Sequence, residues 1–384
     1  MEKKRKKILI FIEVWKPFIG GGQIFTEYLI NGLVKNHNYS VTMITRKLRI
    51  NGKIYDSNEI NKGHLEIYRL GYLTKVDSII GKLSWIFHSF FFAFNISFSL
   101  IHSMPNLGAL PGKLLSSIKK KPIVFSIQGS TYQLKTNRYN FVKRIKNYFL
   151  KIIQLKINYD CVITDNSQLI QLFPKKRKTH FITNGVDINK FYSLNKKRSK
   201  FKIISVGRLH PQKGFLYLIK SLQYVVKNNN NIELSIIGSG NQLDSLTYEV
   251  RKLSLEKYIK FLGDISYEKL PKYYSNSDLF VLPSLFEGQP LSLLEAWASS
   301  LPVLVTDCGE NINMVKNNIN GWIVPSKNAY ALSDKLNHIL SLPSKTIKQV
   351  GANGRDLVTE KYGWDTKINL IQDIYKKHIK KKLK

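Results

Sequence analysis

Arg208 and Lys213 stand five residues apart in a loop bracketed by Gly207 and Gly214, directly after the apolar run 202–206. Two cations delivered by one strand end into one turn suit a diphosphate. Each close cation-anion contact is worth about 4 kcal/mol at an effective dielectric of about 20, and charge developing on a departing diphosphate strengthens it. Taken alone, the pair equally describes a solvated basic turn. A second pair is acidic. Glu287 falls in the loop after the apolar run 279–282, and Glu295 lies about one turn into the helix that begins at Leu291, on the side facing back toward that loop. Carboxylates so placed can accept hydrogen bonds from the hydroxyls of a sugar and of a ribose, although Glu295 by itself also fits a salt-bridged helix residue.

Glycines mark the same places. Gly20-Gly21-Gly22-Gln23 follows the first apolar run, Gly238-Ser239-Gly240 follows the run 232–237, and Gly288 with Pro290 precedes the free N–H groups of the helix starting at Leu291. In open α/β sheets ligands collect outside the carboxyl ends of strands, where glycine lets the backbone approach and helix N-termini supply positive dipole. The turn at Gly21 and Gly22 fits either a phosphate cradle or a plain tight turn.

The elements that must position these residues read as a wound α/β chain. Strand-like runs lie at 8–14, 40–45, 65–68, around 101, 123–127, 161–164 and 180–182, then again at 202–206, 232–237, 259–262, 279–282, 303–306 and 321–324. Long connections between them imply parallel sheets. The chain, at 384 residues, exceeds what one core usually organises. The polar, basic stretch 189–200 reads as the linker. The expected domains are residues 1–195, residues 196–363 and a basic helix at 364–384 that returns to the first domain.

The sequence resembles glycosyltransferase family 4, the retaining enzymes of GT-B fold. The resemblance runs from Gly21-Gly22 through residues 160–167 (DCVITDNS), Asn184-Gly185-Val186-Asp187 with Phe191, the 207–214 loop and Gly238 to Gly240. It continues with Phe261-Leu262-Gly263, Glu287 to Glu295, Leu301-Pro302-Val303 and Asn320-Gly321-Trp322. It implies two Rossmann-like domains with parallel sheets facing a central cleft, and a sugar moved from a nucleotide-diphosphate donor to an acceptor hydroxyl. It also implies that Arg208 and Lys213 hold the donor diphosphate, that Glu287 contacts the donor sugar and Glu295 the ribose, and that no metal or cofactor is needed. The sequence contains no Asp-x-Asp pair.

Two departures stand out. Gln128 occupies the place, after the run 123–127, where the family often has a histidine near the reacting carbon. Glutamine donates a hydrogen bond but is no general base, so a front-face reaction, in which the leaving phosphate oxygen takes the acceptor proton, suits this chain better. The stretch 309–313 (GENIN) puts a neutral Asn313 where the family usually has a glutamate near the donor phosphates. His102, at a strand end, is an acceptor-side candidate or a packed histidine; Gln23 is a second acceptor candidate.

Sixty Lys and Arg against 26 Asp and Glu give +34, which calls for anionic partners. The basic runs are scattered and carry no nucleic-acid-binding module, so they suit a surface field rather than a groove reader; no nucleic-acid partner is expected. Residues 83–101 are dense in aromatics and nearly uncharged. They fit a buried helix, a membrane-interface helix with Trp85 and the Phe cluster downward, or a membrane span. The two distant cysteines, Cys161 and Cys308, suit a reducing cytoplasm. The leading expectation is a peripheral enzyme on the inner face of the cytoplasmic membrane, acting on a lipid-linked or glycan acceptor in envelope polysaccharide or lipopolysaccharide synthesis. The alternatives are a nucleotide-sugar epimerase or a glycogen- or sucrose-type synthase of the same fold and, more remotely, a basic nucleic-acid-binding protein.

Overall fold

The computed structural model describes residues 5–17, 20–35, 38–50, 52–61, 64–127, 156–171, 173, 178–194 and 200–382. The chain forms two compact units, Met1–Thr183 with Asp365–Lys384, and Asn184–Trp364.

Short Ile- and Val-rich runs suit strands buried on both faces. The strands of the first unit are β1 (Lys6–Phe11), β2 (Tyr39–Ile50), β3 (Lys53–Tyr55), β4 (Glu59–Asn61), β5 (Leu65–Thr74), β6 (Leu100–Ser103), β7 (Ile123–Ile127), β8 (Cys161–Thr164) and β9 (Thr179–Phe181), of which β3 and β4 lack such a run. Their order is β4-β5-β2-β1-β6-β7-β8-β9, with β3 beside β2. All neighbours are parallel except the β2–β3 and β4–β5 pairs. The second unit holds β10 (Phe201–Val206), β11 (Ile232–Ile237), β12 (Ile259–Phe261), β13 (Leu279–Leu282), β14 (Val303–Thr306) and β15 (Trp322–Val324). This sheet is wholly parallel, in the order β12-β11-β10-β13-β14-β15. Within it the chain order is the doubly wound Rossmann one, which reverses between β10 and β13. Ligands of such sheets bind beyond the strand ends at that reversal.

In the first unit α1 (Gly21–Lys35), α2 (Ile79–Phe94) and α3 (Ala109–Lys119) connect the strands. Ser78 caps α2, accepting the Gly81 amide at 3.1 Å, and Asn95 ends it before β6 begins. The aromatic stretch 83–101 is therefore a helix and a strand rather than one span, and among the described residues no helix is long and apolar enough to cross a membrane. Trp85 and Phe98 are buried, which removes the alternative in which Trp85 faces a membrane; the helical repeat turns Leu83, Phe87 and Phe91 out.

In the second unit α4 (Phe215–Asn228) follows β10 and α5 (Leu291–Ala298) follows β13. The first boundary lies at Thr183/Asn184, not at residue 195. Val186 and Phe191 are buried in the second unit's core, and Asn184 is tied by its backbone N–H and its side-chain amide to Gln289, so the presumed linker begins inside that unit. The final helix α6 (Trp364–Lys381) packs in the first unit. Ile368 fills the space a side chain at Gly32 would need, and Gln372 donates to the Gly32 carbonyl at 3.3 Å.

Candidate functional site

Below the end of β10, the loop is shaped by alternation. Leu209 is fully buried, while Arg208 is exposed. Pro211–Lys213 makes one 3₁₀ turn, capped by His210 Nδ1, which accepts from the Gln212 N–H at 3.3 Å. Burial and then the charge of Arg208 lower the His210 pKa, which keeps the ring a neutral acceptor. Gly214 closes the turn at φ +65°, where any side chain would overlap the Pro283 carbonyl. The two strand-end loops are thus pressed together, and the Leu285 N–H donates to the Gln212 carbonyl at 2.7 Å. The Gly238 side of the turn is equally close: a Cβ there would overlap the Gly207 carbonyl.

This packing lays the Lys213 stem over Gly207 and sets its ammonium 2.6 Å from Oε1 of Glu287. Glu287 Oε1 also accepts from the Ser284 hydroxyl at 2.6 Å. The carboxylate is 5% exposed, so its charge is balanced at short range rather than by water. The backbone of Gly309, at φ +55°, lies against the carbonyl of Glu287, and no side chain would fit there. Four features of the sequence therefore converge at the sheet's reversal: the glycine loop after β10, Lys213, Glu287 and the glycine after β14. Sequence reasoning missed Ser284 and the part played by Gly309. Ser284 carries a signal, a hydroxyl three residues before the acid at the same strand end.

Glu295 is held separately. It lies in α5, 3% exposed, and Oε2 accepts from the Tyr274 hydroxyl at 2.8 Å. Burial raises its pKa to about 7, against the Tyr274 hydrogen bond and the Lys190 charge, which lower it. Among the described residues its partner is the Tyr274 hydroxyl rather than a cation within salt-bridge distance. Leu291, half-buried, opens α5, and Gly288 is buried just before it. Asn313 donates to Glu310 Oε2 at 2.9 Å, so the neutral residue at 313 serves a buried carboxylate.

In the first unit Gln23 holds its own turn, donating to the Val14 carbonyl at 3.1 Å. Gly21 is exposed, and the space a Cβ on Gly22 would take is open. Nearby, and unforeseen, the fully buried Arg46 donates to Glu13 at 3.2 Å and to backbone carbonyls 75 and 76, bracing the loop after β1. Of its two readings, His102 takes that of the packed histidine. It is fully buried, Nε2 lies 2.6 Å from the Ser126 hydroxyl, and Nδ1 meets the Tyr375 hydroxyl of α6. Burial takes its pKa down to about 3. Gln128 lies outside the described residues.

Residues 187–357, nearly all of the second unit, match the family described as Glycosyl transferases group 1. An uncharacterized glycosyltransferase of Methanocaldococcus jannaschii is 26% identical over 387 residues, covering 93% of this chain and 94% of its own. The likeness to group 1 glycosyltransferases is carried by the second unit. The UDP-Gal:alpha-D-GlcNAc-diphosphoundecaprenol alpha-1,3-galactosyltransferase of Escherichia coli is 26% identical over 302 residues, 72% of this chain and 75% of the relative. Sucrose-phosphate synthase from Thermosynechococcus elongatus superposes with a TM-score of 0.84 at 22% identity, covering 97% of this chain and 99% of that one. Anabaena HepE in complex with UDP and glucose reaches 0.76 at 18% identity, over 97% and 100%. These likenesses show that the chain has the GT-B fold.

Proposed function

We propose that this chain is a glycosyltransferase that takes a nucleotide-diphosphate sugar at the β10–β13 reversal and transfers the sugar, with retention and without a metal ion, to a lipid-linked acceptor in envelope glycan synthesis. The observation that carries the donor placement is the Lys213–Glu287 pair at 2.6 Å, set between two glycine-bounded loops. Arg208 and Lys213 receive the diphosphate and Glu287 a sugar hydroxyl. Glu295 serves the ribose. Gly21 and Gly22 are proposed as donor-contacting residues, and Gln23 remains the acceptor-side residue of the first unit.

In the proposed reaction the bond from the anomeric carbon to the diphosphate breaks as the acceptor oxygen bonds on the same face. The leaving phosphate oxygen takes the acceptor proton, and the two cations stabilise the charge that gathers on the diphosphate. No side-chain base is required, which accommodates Gln128. A lipid-linked acceptor is supported by the name of the Escherichia coli relative, a diphosphoundecaprenol-directed enzyme, and by the +34 charge, which suits peripheral attachment to an anionic membrane.

The test is a donor screen read by product mass, with the anomeric configuration of the product read by NMR. An α-donor giving a β-product would contradict retention. Turnover of the donor into a new sugar without any acceptor would favour an epimerase. Activity lost in EDTA and restored by Mg²⁺ or Mn²⁺ would overturn metal independence.

A further inference from the structure

The first unit carries an apolar surface that its own core does not use. On α2, Ile80, Leu83, Phe87 and Phe91 are 52 to 68% exposed, while Trp85, Ser89 and Ala93 on the other side are buried. The outward rings touch one another. Tyr72 and His88 have centroids 5.6 Å apart, and Phe87 and Phe91 4.5 Å. From α3, Lys119 sets its ammonium 4.1 Å from the Phe94 ring centre, and Leu114 and Ile118 add two more exposed side chains. Large contiguous apolar patches on a water-facing surface mark interaction sites.

The charges around this patch say what kind of partner it fits. Between Ser78 and Ile127 there is no Asp or Glu, but there are five lysines. Lys82 is turned toward Glu13, at 4.0 Å; Lys113, Lys119, Lys120 and Lys121 remain on or beside α3. A second copy of the same face would bring lysines against lysines. A layer with apolar depth and an anionic surface matches both halves of the pattern, rings at the acyl boundary and ammonium groups among phosphates.

We propose that the outward faces of α2 and α3 form the surface by which this protein docks on an anionic lipid bilayer. The inference rests on the lipid-linked acceptor reading above, since docking there brings the enzyme to such a substrate. The face is not the Trp85 side of the helix, which the core occupies.

The test uses the full chain with vesicles of phosphatidylcholine alone and of phosphatidylcholine mixed with phosphatidylglycerol. Wild-type protein is expected to sediment with the anionic vesicles and to leave them in high salt. Phe87→Ser with Phe91→Ser, and separately Lys119→Glu with Lys120→Glu, should each lower the partition coefficient about tenfold or more. These side chains are exposed, so the unfolding temperature should stay at the wild-type value. Aromatic variants that bind anionic vesicles like wild type would overturn the proposal. So would a dimer, seen by light scattering without lipid, that the aromatic substitutions dissolve. Transfer to a water-soluble acceptor analogue, measured on the same variants, should be unchanged. If wild-type protein glycosylates soluble glycans and no lipid-linked acceptor, yet binds vesicles through α2, the acceptor reading falls and the docking face stands.

Discussion

Lys213 and Glu287 are 74 residues apart in sequence and 2.6 Å apart in space, each neutralising the other where two loops meet. Removing either changes more than one thing. Lys213→Ala takes a cation from the proposed diphosphate site and leaves Glu287, 5% exposed, with a hydroxyl as its remaining partner. We expect turnover to fall about a hundredfold or more and stability to fall by about 1 to 3 kcal/mol. Arg208→Ala should lose turnover to a similar degree with no loss of stability, because Arg208 is exposed. Turnover assays with the full donor and thermal unfolding of both variants check this. Wild-type rates in both would remove the donor from this site.

The two carboxylates should fail differently. Glu287→Gln is expected to lower turnover by about two to three orders of magnitude while free nucleoside diphosphate binds near normally. Glu295→Gln should weaken that nucleotide by about 1 to 3 kcal/mol. Burial raises Glu295 from 4.5 to about 7, so between those values the folded protein keeps a proton that the unfolded chain releases. Its contribution to stability is complete below 4.5 and is lost as pH rises through about 7. Nucleotide affinity should move the other way, rising with pH through about 7 as the carboxylate forms. Calorimetry across this range, with Glu295→Gln giving a flat profile, is the check. Equal nucleotide affinity in the two variants would mean the roles are misassigned.

Gly309→Ala should disable the site from a position that bears no functional group. Its φ of +55° disfavours a side chain, and an added Cβ would overlap the Glu287 carbonyl. The Glu287 loop must then shift, and small displacements of a positioning group are costly in rate. The expected outcome is a drop in turnover of about a hundredfold, with stability lower by about 1 to 3 kcal/mol. A fully active Gly309→Ala enzyme would show that the placement of the Glu287 loop is not critical.

His102→Phe tests the opposite assignment. It leaves the Tyr375 and Ser126 hydroxyls without their ring partner, at a cost of about 1 to 3 kcal/mol, yet turnover per folded molecule should stay within about twofold of wild type. Burial lowers His102 from 6.5 to about 3, so between those values only the unfolded chain takes the proton. Wild-type stability is therefore lost as pH falls from 6.5 toward 3, and the variant should lack that part of the slope. A large fall in turnover with unchanged unfolding would return His102 to the acceptor site.

The sequence carried the strands of both sheets because buried parallel strands are continuous apolar runs with little else to resemble. It did not carry β3 and β4, three-residue additions to the sheet without an apolar run of their own. The glycine loops after β10 and β11 were legible because Gly207, Gly214 and Gly238 punctuate strand ends. Which charge met which was not: Lys213 finds Glu287 only because the sheet order reverses at β10, a long-range fact. The aromatic helix was legible as a helix, but its facing was not, since Trp85 and Phe87 are alike in hydrophobicity and differ only in which side the core took. His102 read ambiguously for a related reason, because its partner Tyr375 comes from the far end of the chain.

That last pairing bears on how the protein is made. Tyr375 covers His102 and packs its ring edge-on to Tyr39 at 6.2 Å, while the whole second unit, Asn184–Trp364, is threaded between the first unit's strands and its final helix. During synthesis the first unit's sheet leaves the ribosome early and waits for α6, which follows the second unit. The second unit, contiguous in the chain, can complete its fold first, reversing the usual N-to-C order of domain folding. Until α6 arrives, the nascent sheet presents Tyr39 and the His102 pocket to its surroundings, the interval in which a chaperone has most to protect.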